Sequence, residues 1–325
     1  MRRMIQLLRR GERGGISVIV ALSLVVLLGA AAVAVDTGAL YAERAELQSG
    51  SDAAALAIAQ DCAIGSCGDP GATAQTFANS NAKDSTANVD APSFPTPTSV
   101  RVRATTRDSG GAGSLALMFA PLMGIDEETV SATSTAAWGN PAGGPAMLPL
   151  AFSYCVFDGM LGGGIQVIET HGADADDCVS PSPSGQTLPG NFSWLSTPSG
   201  ACEIYVNSDS TVSGSTGASI PGDCSTSVLN ASLVGETVLL PVYDELGGIG
   251  AGAYYHIRGW AAFKIYGWRF PHNAVNNTGI AGVPDSSCTG SCNGIIGEFV
   301  EFTTLDDGFT VGGPDLGATV VALTE

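Results

Sequence analysis

The chain has 325 residues, of which 45% are hydrophobic and only 14% are charged, against a typical charged share of about 25%. This composition argues against charge-driven disorder, and the formal net charge of -18 argues against a nucleic-acid partner. The 43 glycines and 17 prolines predict short strands joined by many turns.

A basic tail, residues 1–15, precedes an uncharged apolar run over residues 16–35. Five arginines lie in the tail, whereas Asp36 and Glu43 follow the run. A helix of this length spans about 30 Å, the thickness of the bilayer core, so the run predicts a transmembrane helix. The positive-inside rule then predicts a cytoplasmic N-terminus and an extracytoplasmic bulk of the chain. The alternative is a cleaved signal peptide, for which Ala30–Ala34 would supply the small-residue cleavage site.

Good helix formers continue beyond the apolar run, and Leu40, Leu47 and Ala54 recur at steps of seven residues. This pattern predicts that the membrane helix continues as an amphipathic stalk. Gly50 predicts a kink or a restart of that helix, because glycine costs about 1 kcal/mol in a helix interior.

The stalk leads into a predicted small α+β module. Residues 71–82 predict a short helix, and the Pro/Ser/Thr-rich residues 90–99 predict a turn-rich connection. Residues 99–107 read SVRVRATTR, in which valines alternate with arginines. This alternation predicts a half-buried strand with one solvated face.

Residues 114–125 are apolar and predict a helix as far as Pro121, and residues 129–138 predict a β-branched strand. The Pro/Gly-rich residues 139–149 predict a linker. We therefore expect the stalk and the α+β module to occupy residues 36–140.

Residues 141–325 predict a second, β-rich extracytoplasmic domain. Strand candidates recur through it with turn signals between nearly all of them, and the run from Tyr254 to Phe270 is long enough for a central strand or a bent pair. The predicted fold class is α+β, with a mainly antiparallel sandwich or open barrel as the larger domain.

Eight cysteines, an even number, all lie after the predicted span, which favours disulfides in an oxidising compartment. Two pairs would enclose short Gly/Ser loops, and two would close loops of about twenty residues. Spacing alone leaves other pairings open. The predicted pairs are Cys62–Cys67, Cys155–Cys178, Cys202–Cys224 and Cys288–Cys292. Zinc is the rival interpretation, but Cys-X2-Cys does not occur and the three histidines lack ligand spacing.

No motif marks the chain as an enzyme, and no metal or cofactor is predicted. Asp36-Thr37-Gly38 copies the aspartic-protease tripeptide but occurs once, so we interpret Asp36 as a polar helix residue at the bilayer surface. The hydrolase turn Gly-X-Ser-X-Gly does not occur. The glycine cluster at 246–252 precedes a strand, which predicts a hairpin loop and not a phosphate site. Asp174, Asp176 and Asp177 would suit calcium, or form a solvated acidic loop.

Residues 9–59 contain a set of short motifs: Gly11-Glu12-Arg13-Gly14, Ala34-Val35-Asp36, Tyr41-Ala42-Glu43-Arg44, Leu47-Gln48 and Ser51-Asp52-Ala53-Ala54-Ala55-Leu56-Ala57. By these motifs the segment resembles the N-terminal segment of TadG-like proteins of the Flp/Tad tight-adherence pilus system. Residues 119–138 are similar to the end of the same pseudopilin-like module, and residues 147–325 resemble its variable actinobacterial extension.

The resemblance implies a minor-pilin-like or scaffold component of pilus assembly in the cell envelope, acting through protein contacts without catalysis. The implied partners are the lipid bilayer and other pilus-assembly or pilin proteins, with no nucleic acid and no small-molecule substrate. Two departures matter. Residues Ile16–Val20 lack the glutamate that processed pilins carry at the fifth position after their cleavage site, and the von Willebrand factor A domain of longer relatives does not occur.

Two other functions stay open on the sequence. Scattered histidine, aspartate and serine residues, His256 and Asp244 among them, leave a tethered hydrolase as an alternative. Trp194, Trp260 and Trp268 would serve a surface- or carbohydrate-binding module if exposed, although tryptophans are more often core residues.

Overall fold

The structure is a computed structural model that describes residues 15–108, 110–170, 182–186, 188, 190–215, 219–224, 228–306 and 308–324, with the side chains of Met123 and Ala251 left out. The described chain divides into two compact units. Unit 1 contains the residues up to Ile58, Gly68–Ala136 and Thr324, and unit 2 contains Ala59–Cys67 and Ala137–Leu323.

Strands far outnumber α-helices in the described residues, as the predicted class requires. The helices are α1 Gly15–Ala63, α2 Pro70–Asn81 and α3 Tyr154–Met160. The strands are β1 Asn88–Val89, β2 Ser93–Thr96, β3 Ser99–Thr105, β4 Leu115–Ala116, β5 Glu127–Glu128, β6 Ser131–Gly139, β7 Pro141–Ala146, β8 Leu150–Ser153, β9 Gln166–Glu169, β10 Phe192–Leu195, β11 Ile204–Asn207, β12 Thr211–Ser215, β13 Thr237–Gly247, β14 Ala253–Phe270, β15 Asn273–Val275, β16 Gly294–Val300, β17 Phe302–Leu305, β18 Thr310–Val311 and β19 Ala318–Leu323.

Helix α1 changes character at Asp36. Nearly every residue before it is exposed and apolar, and by length and composition alone α1 qualifies as a candidate membrane span. From Asp36 onward, burial recurs at three- and four-residue steps, with Leu47, Gly50 and Ala54 fully buried. The predicted continuation of the apolar helix into a stalk with one packed face is therefore confirmed.

The predicted kink or restart at Gly50 is not observed as a break, because α1 runs through this residue without interruption. Glycine at this position allows α1 and α2 to pack closely. A Cβ atom built on Gly50 would lie 3.1 Å from the Cα of Ala78 in α2, so the two helices approach more closely than a larger residue would allow. The predicted helix α2 is confirmed, and its N-terminus is capped by the side chain of Asp69, which accepts from the Ala72 N–H at 3.1 Å.

Unit 1 also contains a small sheet in which β3 pairs with β1 and β2 and neighbours β6. Val100 and Val102 are buried while Arg101 and Arg103 are exposed, as the alternation predicted. The predicted turn-rich connection at 90–99 includes the short strand β2.

The predicted helix over residues 114–120 is wrong. This segment forms β4, which pairs with β5, and then bends into a single 3-10 turn over Ala120–Met123. Pro121 lies in the first turn, where its missing N–H costs nothing. Gly124 ends the turn with φ of 82°, a left-handed conformation that glycine adopts without strain.

Unit 2 is built on an extended sheet with the order β12-β10-β8-β13-β14-β16-β9. Strand β12 also pairs with β14, so β8, β10, β12, β14 and β13 close into a barrel. Closure depends on the length of β14, which pairs with β12 near its start and with β16 nearer its end. All of these pairs are antiparallel except β8 with β13. The predicted antiparallel domain is confirmed, and its barrel is closed.

Aromatic side chains fill the interior of unit 2. Phe152 lies 4.9 Å from Phe263 and 5.1 Å from Phe299 between ring centroids, at tilted and edge-on angles that favour aromatic pairs. The three tryptophans considered for surface binding are all buried, so they are core residues and do not form an exposed binding face: Trp194, Trp260 and Trp268.

The predicted linker at 139–149 is also wrong, because Pro141–Ala146 forms strand β7. β7 lies at the centre of a three-stranded sheet, between β11 and β18. Its glycines are needed for packing. A Cβ atom on Gly144 would lie 2.2 Å from the ring of Phe309, which occupies that space.

Candidate functional site

The most specific polar contact in unit 1 joins helix α1 to residues 118–120. Asp36 Oδ1 accepts from the Met118 N–H at 2.9 Å and the Phe119 N–H at 3.3 Å. Asp36 Oδ2 accepts from the Phe119 N–H at 3.0 Å and the Ala120 N–H at 2.6 Å. We call this set of contacts the Asp36 clasp. It fixes the segment 117–125, hereafter the apolar loop, against α1.

Local chain geometry explains why the apolar loop presents these donors. The 3-10 turn begins at Ala120, whose N–H, like the first N–H groups of any helical turn, has no partner within the turn, and Met118 and Phe119 directly precede it. A carboxylate at that end satisfies the donors and is favoured by their partial positive charge. Asp36 is only 7% exposed, so its charge is stabilised by backbone N–H groups in place of water.

This geometry gives the tripeptide Asp36-Thr37-Gly38 a structural role. Both carboxylate oxygens are occupied as acceptors, and the Thr37 hydroxyl donates to the Val33 carbonyl at 2.8 Å. The sequence predicts only a polar helix residue at position 36, and the clasp is not predicted from it. Local sequence patterns do not reveal this contact, because the donors lie 82 to 84 residues away from Asp36 in the chain.

An apolar groove of about 440 Å³ lies beside the Asp36 clasp. Small residues of α1 line one side of it, including Gly29 and Ala32, and side chains of the apolar loop line the other, including Leu122 and Ile125. The groove therefore extends along α1 from the clasp toward the exposed apolar half of the helix.

In unit 2, His256 and Asp244 form the contact closest to catalytic chemistry. The His256 Nδ1 atom lies 2.8 Å from Asp244 Oδ1, and the Asp244 carboxylate is buried. A hydrolase would also need a nucleophile hydrogen-bonded to the other ring nitrogen, Nε2. Within the described residues, no hydroxyl group hydrogen-bonds the His256 ring. The pair joins neighbouring strands β13 and β14, at the end of the predicted hairpin formed by residues 246–252.

The described cysteines are all oxidised. Disulfides join Cys62 to Cys67, Cys202 to Cys224 and Cys288 to Cys292. Cys155 is also disulfide-bonded, and its predicted partner Cys178 lies outside the described residues.

The candidate calcium ligands Asp174, Asp176 and Asp177 lie outside the described residues. In the part of the chain that the structure describes, no group of three or more His, Cys, Asp or Glu residues is arranged to hold a metal ion.

The candidate site in unit 1 therefore lies on a long N-terminal helix with an exposed apolar half. Residues 14–61 match the Tad family, described as Flp pilus-assembly TadE/G-like, so the predicted resemblance is confirmed for this segment. The match covers nearly all of α1, including Asp36, and supports involvement in pilus assembly. No curated protein and no solved structure matches the chain.

Proposed function

We propose that the protein is a membrane-anchored component of Flp/Tad pilus assembly that acts as a minor-pilin-like or scaffold subunit. The observation that carries this proposal is the coincidence of the family match over residues 14–61 with helix α1. That helix combines an exposed apolar half with a half that packs into a folded module.

The anchor is proposed to be residues 16–35. Leu24, Val25 and Val26 are each more than half exposed, which is unfavourable in water and favourable in lipid. Five arginines precede this segment, which supports a cytoplasmic N-terminus with residues 36–325 outside the cytoplasm. The disulfides of unit 2 and the acidic surface support the same orientation.

Protein contacts, and not catalysis, are the proposed mode of action. The domain assignment proposed with it is a basic tail over residues 1–15, the anchor, a stalk and α+β module over residues 36–140, and the β-rich domain over residues 141–325. The α+β module and the β-rich domain would present surfaces to pilin and assembly partners outside the membrane. An actinobacterial type of extension over residues 147–325 is part of the same proposal.

Genetics tests the proposal directly. Deleting the gene should abolish or reduce surface pili and adherence, and the wild-type gene should restore both. A variant with Leu24→Arg and Val25→Arg should fail to restore them, since arginine at a helix centre opposes insertion by about 2.5–3.5 kcal/mol per residue. The matched control, Leu24→Ala with Val25→Ala, should restore piliation. Normal pili and attachment in the deletion strain would refute the proposed function.

A tethered hydrolase is the second candidate, and the hydrogen bond between His256 and Asp244 is the observation that favours it. Residues 15–325 purified with the disulfides intact would be screened against general esterase, protease and glycosidase substrates. Turnover that disappears in both His256→Gln and Asp244→Asn, while the chain stays folded, would establish this function in place of the first.

A further inference from the structure

The apolar loop exposes large hydrophobic side chains although it belongs to a folded unit. Leu122 is 88% exposed and Met118 is 73% exposed, and Phe119 and Ile125 are also partly open to solvent. The segment 114–125 carries no charge, whereas Asp126, Glu127 and Glu128 follow it at once. A contiguous patch of this kind marks an interaction surface.

The depth of the loop along α1 indicates what covers it. Leu122 lines the same groove as Gly29, which lies seven residues before Asp36. At 1.5 Å per residue, Gly29 is about 10 Å along the helix axis from Asp36, toward the middle of the proposed span. Leu122 also lines a second groove with Leu28 and Val35. If residues 16–35 cross a bilayer, this part of the loop lies at the depth of the lipid.

The backbone of the loop is already suited to an environment without water. The Asp36 clasp takes the N–H groups of residues 118–120, and Pro121 has none. Four further N–H groups of the loop donate within unit 1: those of Leu117, Leu122, Gly124 and Ile125 donate to the carbonyls of Asp126, Phe119, Pro121 and Ala120, respectively. Each unsatisfied backbone polar group costs several kcal/mol in the hydrocarbon region, so these bonds lower the cost of placing the loop at membrane depth.

We infer that the apolar loop inserts into the outer leaflet of the membrane beside the anchor helix, with Met118 and Leu122 in contact with lipid acyl chains. This inference rests on the proposed membrane anchor. It adds a second attachment point, which orients unit 1 relative to the bilayer. A protein partner seated on the same patch is the competing occupant.

Quenching by brominated lipid separates these possibilities. The full chain would be reconstituted in phosphatidylcholine vesicles with and without bromine on the acyl chains, and the emission added by each new tryptophan measured against wild type. Three variants are needed: Leu24→Trp within the anchor, Leu122→Trp in the loop, and Ile249→Trp as a control in unit 2. Ile249 is 88% exposed, the same as Leu122, so neither substitution removes much packing.

We expect brominated vesicles to remove most of the added emission of Leu24→Trp and Leu122→Trp and to leave that of Ile249→Trp unchanged. Loss of quenching at Leu24→Trp would refute the membrane anchor itself. Quenching at Leu24→Trp without quenching at Leu122→Trp would overturn only the loop inference and favour a protein occupant. Equal quenching of Ile249→Trp and Leu122→Trp would also overturn it, since the contact would then not depend on depth.

Discussion

Replacing Asp36 with alanine removes the acceptor for three consecutive backbone N–H groups, those of Met118, Phe119 and Ala120. We expect the apolar loop to detach from α1 while the rest of unit 1 stays folded, because the packing around Leu47 and Ala78 does not involve the loop. The Asp36→Asn variant should have a smaller effect, since it keeps one oxygen acceptor and turns an amide donor toward the remaining N–H groups.

The size of the effect follows from the number of donors and where they lie. Met118 and Phe119 are more exposed than Ala120, which is buried, so loss of the carboxylate costs most at the Ala120 N–H. A net hydrogen bond is worth about a factor of five to ten in an equilibrium constant, and an unsatisfied buried donor is worth more. The population in which the loop is open should therefore rise on the order of 10- to 100-fold in Asp36→Ala.

Hydrogen exchange followed by mass spectrometry on the reconstituted full chain measures this population through the peptide that covers residues 117–125. Asp52→Ala is the matched control, because Asp52 lies on the same helix and accepts from the side chain of Gln48, at 2.7 Å, away from the loop. The control should leave exchange in this peptide unchanged. Unchanged exchange in Asp36→Ala would refute the argument that the clasp holds the loop.

Three further predictions concern stability, each measured by urea unfolding of the chain in detergent. Replacing both cysteines of Cys202–Cys224 with serine should lower the free energy of unfolding by about 3 kcal/mol, and the same change in Cys288–Cys292 should lower it by about 2 kcal/mol. The difference arises because the sequence separations are 22 and 4. Equal losses would contradict the loop-length argument. Gly50→Leu should lower the free energy of unfolding by about 1–3 kcal/mol, because the larger side chain pushes α1 away from α2. Gly38→Leu is the control and should not lower it, because the space around its Cβ position is open. Similar effects of the two variants would show that the helix contact is not tight. Burial, and to a lesser extent Tyr255, raises the pKa of Tyr243. Because the unfolded chain ionises tyrosine near pH 10, the stability of unit 2 should be level below about pH 10 and fall above it, less steeply in Tyr243→Phe; an identical alkaline fall in that variant would refute this assignment.

Local sequence patterns predicted much of the fold. The uncharged run at 16–35 predicted the exposed half of α1, and the alternation of valine with arginine from residue 100 predicted which face of β3 is buried. Both features depend on side chains close together in the chain, which is the information that hydrophobic periodicity contains. The most specific part of the resemblance to TadG-like proteins lies in the same N-terminal segment, and residues 14–61 are the part that matches the family.

Features that depend on distant contacts could not be predicted in this way. Residues 139–149 resemble a linker by composition, yet Gly144 is needed because the ring of Phe309 packs against it. Barrel closure requires β12 to pair with β14 and β8 to pair with β13. The sequence of a single strand does not indicate which distant strand it pairs with. The run at 114–120 resembles a helix because its apolar side chains are long, but Asp36 binds its backbone in another conformation.

In the proposed membrane setting, the Asp36 clasp pairs a buried carboxylate with backbone N–H groups that would otherwise lack an acceptor. A carboxylate at the end of an apolar span is costly beside lipid unless donors stabilise its charge. Three unpaired backbone N–H groups at the same depth would be costly as well. Each group satisfies the other, so the loop sequence is free to be apolar over residues 114–125. Asp36 would accordingly be required for placing the loop in the membrane, and Asp36→Ala in a Leu122→Trp background should lose the lipid quenching that Leu122→Trp alone displays.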